Sequence, residues 1–319
     1  MHDPRPTVVR QPDQGVYCAW LGHTIRYLAL GSETGEAYCL SVTEVDQKGG
    51  APPHRHDFVE AFYVIRGTCE FQAGNQTASL SSGEMISIGS GTAHRPMVTS
   101  PDGAELLTLA FPAGFDQFQL QAGQPLEDPS QVPTKSVSEI RESIDHIAAD
   151  FSIDMHPPDS AFQVEPQIHI CRATEGDVVD AVGDRYRFLV EGEQSDGRFA
   201  IWHTTISPGG GPPPHVHRNE EEAFFVLDGE LIFESEGESF TGGPRTFVNL
   251  PRGSKHRFSN QSDQPAQVLI LVAPSGLEKM FRRTGRLIED TSQPIAPTDH
   301  EEIARLIQIA PEYGVELYL

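Results

Sequence analysis

Residues 49–67 read GGAPPHRHDFVEAFYVIRG and residues 209–229 read GGGPPPHVHRNEEEAFFVLDG, and setting one above the other decides the fold. Gly49, Gly50, Pro52, Pro53, His54 and His56 recur 161 positions later as Gly210, Gly211, Pro213, Pro214, His215 and His217. After one inserted residue the offset is 162, and Glu60, Ala61, Phe62, Val64 and Gly67 return as Glu222, Ala223, Phe224, Val226 and Gly229. Upstream, Gly22, Arg26, Leu28, Gly31 and Thr43 match Gly183, Arg187, Leu189, Gly192 and Thr204, while downstream Gly91, His94 and Arg95 match Gly253, His256 and Arg257. One near-constant offset over this span marks the duplication of a single domain rather than a solenoid array. The 319 residues suit two domains of ordinary size. The boundary is expected near residue 150, giving domains 1–150 and 151–319.

Each half consists of short β-rich runs about ten residues apart. The first has RYLAL, AYCLSVTEV, VEAFYVIRG, TCEFQAG, TASL, EMISIG and ELLTLAF; the second has RFLVEG, FAIWHTTIS, EEAFFVLDG, ELIFES, RTFVNLP and AQVLILVA. Gly, Asn, Asp and Pro punctuate these runs, and the 29 glycines and 25 prolines exclude an all-α chain. The expected class is all-β, a closed antiparallel barrel or sandwich in each half with short helices after it. One helix is expected from Ser136, where Ser136 and Glu139 form a capping box ahead of Ile140, Ile144 and Ile147. Another is expected from Thr298, with Glu301 three residues on and Ile303, Leu306 and Ile307 behind it. QPLEDPSQVP at 124–133 and MHPPDS at 155–160 read as connectors.

The formal charge of −23 argues against a nucleic-acid partner or an anionic membrane surface. VLILVA at 268–273 is far too short to span a bilayer, and the first fifteen residues hold no apolar signal core, so a cytoplasmic protein is expected. Cys18, Cys39, Cys69 and Cys171 stand singly in apolar segments and read as buried free thiols. The acidic excess, including the run Glu220, Glu221 and Glu222, reads as solvated surface.

Six of the 13 histidines occupy equivalent places in the two copies. His54 and His56 lie two apart, hence on one face of a strand, and Glu60 keeps their parity. His94 adds a third imidazole from a later strand. His215, His217 and His256 repeat the pattern, with Glu222 preferred to Glu221 because it keeps the register of the following Ala-Phe and of Gly229. Three imidazoles and one carboxylate suit a first-row divalent metal and leave positions open for substrate or oxygen. Up to two such ions per chain are expected, drawn from Fe, Mn, Ni, Co, Cu or Zn. Phe62 and Val64 share the parity of Glu60, as Phe224 and Val226 share that of Glu222, so they either wall a pocket or fill the barrel. His2, His23, His146, His156, His169, His203 and His300 have no counterpart and read as ordinary residues.

These segments resemble the cupin superfamily, whose first motif is G(x)5HxH(x)3–4E(x)6G and whose second is PxG(x)2H(x)3N. PRGSKHRFSN, with Pro251, Gly253, His256 and Asn260, matches the second closely. In the first copy Gly89 and Val98 replace the motif proline and asparagine, and the leading glycine is one residue too close to His54. The resemblance implies two tandem jelly-roll barrels. Within that superfamily the chain is most similar to the two-domain quercetin 2,3-dioxygenase-like group, from the approach PPH to the terminal PEYGVEL. This implies ligation by His54, His56, Glu60 and His94 and by His215, His217, Glu222 and His256. It also implies Glu60 and Glu222 as catalytic bases, and dioxygen and a small aromatic or flavonol-like molecule as partners. The first copy is favoured as the catalytic one, and a homodimer is the default assembly.

Two rivals remain. An oxalate decarboxylase-like bicupin would want an arginine inside the barrel, whereas Arg55 points outward by parity and Arg66 stands beside the Gly67 turn. A metal-binding sensor or isomerase without oxygen chemistry is the other.

Overall fold

The computed structural model describes residues 5–157, 160, 162 and 164–319, so Pro158 and Asp159 of the expected 155–160 connector lie outside the described residues. The chain divides into two compact units, Gly15–Thr174 and Glu175–Leu319 together with the segment up to Gln14. The division therefore falls at 174/175 and not near 150. Two strands past the expected boundary explain the difference: Ile153–Met155 pairs with His54–His56, and Ile168–Cys171 pairs with Met85–Ile88. The N-terminal segment belongs to the later unit because Val8–Arg10 pairs with Phe247–Leu250.

In the first unit an eight-stranded sheet runs Gln124–Leu126, Val16–Trp20, His23–Ala29, Cys39–Val45, Ala104–Phe111, Val59–Arg66, Met85–Ile88, Ile168–Cys171. A five-stranded sheet runs Ile153–Met155, His54–His56, His94–Val98, Thr68–Ala73, Gln76–Ser81. The second unit repeats both sheets in the same order, strand for strand, and the strand pairings among the described residues are antiparallel. The two sheets share one core. Phe62 and Val64 of the larger sheet bury against Cys69, Phe71 and Val98 of the smaller one, as Phe224 and Val226 bury with Phe233 and Phe258 in the second unit. This is the jelly-roll arrangement the alternation of apolar residues demands, since each sheet has one face that only the other sheet can cover.

Gly50 and Gly211 show why the approach to each histidine pair is glycine-rich. Their φ values are +154° and +116°, and a Cβ there would stand 2.1 Å from the Pro96 carbonyl oxygen or 2.2 Å from that of Phe258. Only glycine lets the chain cross that close to the neighbouring strand.

The helix Val137–Ile147 begins as expected: Ser136 accepts from the Glu139 amide, and the Glu139 carboxylate accepts from the Ser136 amide at 2.8 Å. Ile140, Ile144 and Ala148 then pack on Ile25, Tyr27 and Phe118. The later helix, His300–Ile309, is capped by Asp299 and not Thr298: the Asp299 carboxylate accepts from the Glu302 amide at 2.8 Å. Helices Phe115–Ala122 and Leu277–Thr284 were not expected. Each is two turns long, follows a Pro-x-Gly corner and lacks a side-chain cap, so it carries little local signal. Of the expected connector 124–133, Gln124–Leu126 is a strand paired with Val16–Trp20. All four cysteines are buried and free. No helix among the described residues is long and apolar enough to cross a membrane.

Candidate metal centres

His54 and His56 sit on one short strand of the smaller sheet, with His94 directly opposite His54 on the next strand. Glu60 comes from the larger sheet, held between Ala110 and Ile88 on its two neighbours. The four side chains meet where the sheets face each other, all buried, with one donor atom from each lying within 4.8 Å of the others. The Glu60 carboxylate is 2.9 Å from His94 Nε2, 3.2 Å from His56 Nε2 and 4.0 Å from His54 Nε2. His215, His217, Glu222 and His256 form the same constellation in the second unit, with Glu222 at 3.0 Å from His256 Nε2 and 3.5 Å from His217 Nε2.

The outer nitrogens fix the rings. Nδ1 of His54, His56 and His94 lies 2.8, 2.9 and 2.8 Å from the carbonyls of Pro52, Phe58 and Thr92. A carbonyl only accepts, so each Nδ1 carries a proton and each Nε2 is left facing the centre, where it donates to Glu60 when protonated and presents a lone pair to a cation when not. His215 and His256 are held likewise by Pro213 and Ser254. His215 Nε2 and His217 Nε2 stand 3.1 Å apart. Convergent imidazole lone pairs beside a carboxylate are a donor set that fits a divalent transition metal.

Electrostatics point the same way. Burial would raise the Glu60 carboxyl, but hydrogen bonds from His56 and His94 outweigh it and hold the group well below the usual carboxylate range. Glu222 is held low in the same manner, chiefly by His217. Burial, reinforced by His94, presses His54 down to about 3, and His215 also lies well below its ordinary value. His217 differs: burial opposes its charge, yet Glu222 and Glu220 lift it to about 9. Where His56 stacks on Phe58 at 3.6 Å between ring centroids, His217 has Glu220 at the equivalent place, with Nδ1 3.6 Å from its carboxylate.

The acidic run is therefore not solvated surface: Glu220, Glu221 and Glu222 are all buried. Glu221 faces away from the cluster, accepting from Arg5 at 2.6 Å, from the Arg252 amide at 3.1 Å and from Asn249. Charge on a strand is buried here because a partner 216 residues away neutralises it, which no local pattern reveals.

The family model described as Cupin domain matches residues 41–110 and 202–272, one copy over the core strands of each unit. The chain is a two-domain cupin. It is 23% identical to quercetin 2,3-dioxygenase of Bacillus subtilis over 282 residues, covering 85% of this bicupin and 83% of that protein. Among solved structures it resembles oxalate decarboxylase from Bacillus subtilis, with a TM-score of 0.59 at 15% identity over 86% of this chain and 79% of that one. AerE from Microcystis aeruginosa shares the fold too, at a TM-score of 0.53 and 12% identity over 82% of this chain and 98% of that one.

The two cupin domains differ around their centres. A cavity of about 90 Å³ reaches His54 and Glu60 in the first, walled by Trp20, Phe62, Phe115 and Phe118. In the second, about 50 Å³ reaches His215, His217 and Glu222. Phe62 thus walls a pocket, whereas Val64, Phe224 and Val226 fill the cores. His23, passed over in the sequence for want of a counterpart, lines the first cavity, as do Ser41, Thr108 and Gln119. The signal for these lay in the places where the copies disagree. Arg55 is exposed and paired with Asp154, and Arg66 donates to the Asp102 carbonyl, so neither enters a barrel.

Proposed function

We propose that this bicupin is a metal-dependent dioxygenase that opens the ring of a small hydroxylated aromatic compound. One observation carries the reading: an aromatic-walled cavity opens onto a buried three-histidine, one-glutamate cluster and, among the described residues lining it, has no lysine or arginine. Flat rings favour such walls, while a small dicarboxylate would need a cation there. The likeness to quercetin 2,3-dioxygenase over most of both lengths supports the same reading. The cavity is below the roughly 300–1,000 Å³ of common ligand pockets, which favours a catechol-sized ring over a three-ring flavonol.

His54, His56, His94 and Glu60 would hold one ion, and His215, His217, His256 and Glu222 a second. A bound divalent ion supplies Lewis acidity and, for the redox-active members of the series, one-electron chemistry with dioxygen. The chain supplies the rest. Glu60, ionised and within reach of the cluster, accepts the proton of the substrate hydroxyl at its carboxylate oxygen. Phe62 and Trp20 hold the ring, and Phe115 and Phe118 of the short helix keep water out.

Oxygen uptake tests the proposal. Protein loaded separately with iron, manganese, nickel, cobalt or copper is given catechol, substituted catechols and quercetin, alongside metal-only controls. Uptake above those controls, abolished in a His56→Ala, His217→Ala double variant, is the expected result. Protein shown to be loaded that consumes no oxygen with any of these metals or substrates overturns it.

A further inference from the structure

The two cupin domains, built on one pattern, differ in chemistry across one matched row of side chains. In the first, Phe62, Thr108, Ser41 and Tyr27 stand side by side on four adjacent strands of the larger sheet. In the second, the same row reads Phe224, Ile270, Trp202 and Phe188. The short helix above the row carries Gln119 in the first domain, and at the same offset of 162 it carries Phe281 in the second. Tyr27, Thr108 and Gln119 of the first arrangement correspond to the apolar Phe188, Ile270 and Phe281, and the Ser41 hydroxyl to the bulky Trp202 indole.

The first set is organised. The Tyr27 hydroxyl donates to Gln119 Oε1, which orients the amide and leaves its Nε2 as a donor. The hydroxyls of Ser41 and Thr108 have no protein partner among the described residues, and Ser41, Thr108 and Gln119 all line the cavity that reaches Glu60. In the second domain Trp202 and Phe281 pack edge to face at 5.6 Å, Tyr186 stacks on Phe281 at 4.4 Å, and the space shrinks to about 50 Å³. A cavity with unpaired polar groups selects ligands that pair them, because a ligand lacking the matching group leaves them unsatisfied.

We propose that the aromatic substrate enters the first domain alone, and that Gln119, Ser41 and Thr108 form a polar wall that recognises an oxygen substituent on its ring. This rests on the oxygenase reading of the same centre. Gln119 is the specificity-determining residue and Tyr27 positions it. The second domain's centre is closed to a ring of that size.

Each tryptophan reports on one cavity, since the chain has two and Trp20 lines the first while Trp202 lines the second. Zinc-loaded protein under argon binds without turning over. Catechol and toluene, similar rings with and without oxygen, are titrated into Trp202→Phe protein, where emission reports the first cavity, and into Trp20→Phe protein, where it reports the second. Catechol is expected to change Trp20 emission saturably and to leave Trp202 emission unaltered. Gln119→Leu should weaken catechol about five- to tenfold and toluene less than about twofold, the loss of one hydrogen bond. Tyr27→Phe should lower the same selectivity, and Gln119→Asn, which keeps an amide donor, should restore more of it than leucine. If Gln119→Leu fails to fold, Thr108→Val and Ser41→Ala carry the same comparison. A Trp202 response equal to that of Trp20, or no Trp20 response, overturns confinement to the first domain. An unchanged catechol-to-toluene ratio overturns the polar wall. Intact, selective binding without oxygen uptake would count against the oxygenase reading only.

Discussion

Asp184→Asn should change how the stability of the second domain depends on pH. Asp184 is fully buried, and its carboxylate accepts from the Ser207 amide at 2.9 Å and the Gly211 amide at 3.2 Å, latching the loop that leads to His215. Burial pushes its carboxyl up to about 7 from an ordinary 3.8, outweighing the two amides that pull it down. A carboxyl whose folded pKa is raised favours the native state fully only below its unfolded pKa, and that advantage is lost as pH rises through the folded value. Asp184 therefore opposes folding by about 4 kcal/mol at pH 8, where it is buried ionised, and by about 2 kcal/mol at pH 5, where it must take up a proton on folding. Asparagine does not titrate; its own packing or hydrogen-bond defect is a constant offset. Urea unfolding of metal-loaded wild type and variant at pH 8 and pH 5 reads the difference between the two proteins. Titration of the histidine clusters is common to both and cancels. The wild type should gain about 2–3 kcal/mol on the variant between pH 8 and pH 5. A gap that does not move, or one that moves in the variant's favour, refutes the reasoning and means that the two amides dominate over burial.

Two further outcomes are expected. Glu222→Gln should weaken metal binding at the second centre, whereas Glu221→Gln should leave the metal count intact and lower stability by about 2 kcal/mol as Arg5 exchanges a carboxylate for an amide oxygen, as metal analysis and urea unfolding would show. Ser136→Ala should remove the capping box at little consequence for activity and destabilise the first domain by about 1 kcal/mol in the same unfolding assay.

The duplication was legible from its offset, which also singled out His94 and His256 as a matched pair, and the other six cluster residues were legible because strand parity is a local rule. His54, His56 and Glu60 must share a face if the segment is extended, whatever surrounds it, and the offset repeats that constraint at His215, His217 and Glu222. The exchanged strands were not legible. Val8–Arg10 finds its partner at Phe247–Leu250 across the length of the chain, and three residues carry too little pattern to announce it. Burial of Glu220 and Glu221 was hidden for the same reason, since an acidic run looks solvated until Arg5 is brought to it. The helices at 115–122 and 277–284 are stabilised by what they cover, Phe118 packing on Trp20 at 5.5 Å and Phe281 on Tyr186, rather than by their own propensity. Packing also decided that Phe62 would wall a cavity while Phe224, on the matching strand, would fill one.

Metal stoichiometry tests the account most directly. Protein stripped with a chelator, reloaded with a single divalent metal and freed of excess should hold about two equivalents per chain, falling to about one in either His56→Ala or His217→Ala and to none in the double variant. Folded single variants that retain the wild-type metal count would contradict the assignment of both centres.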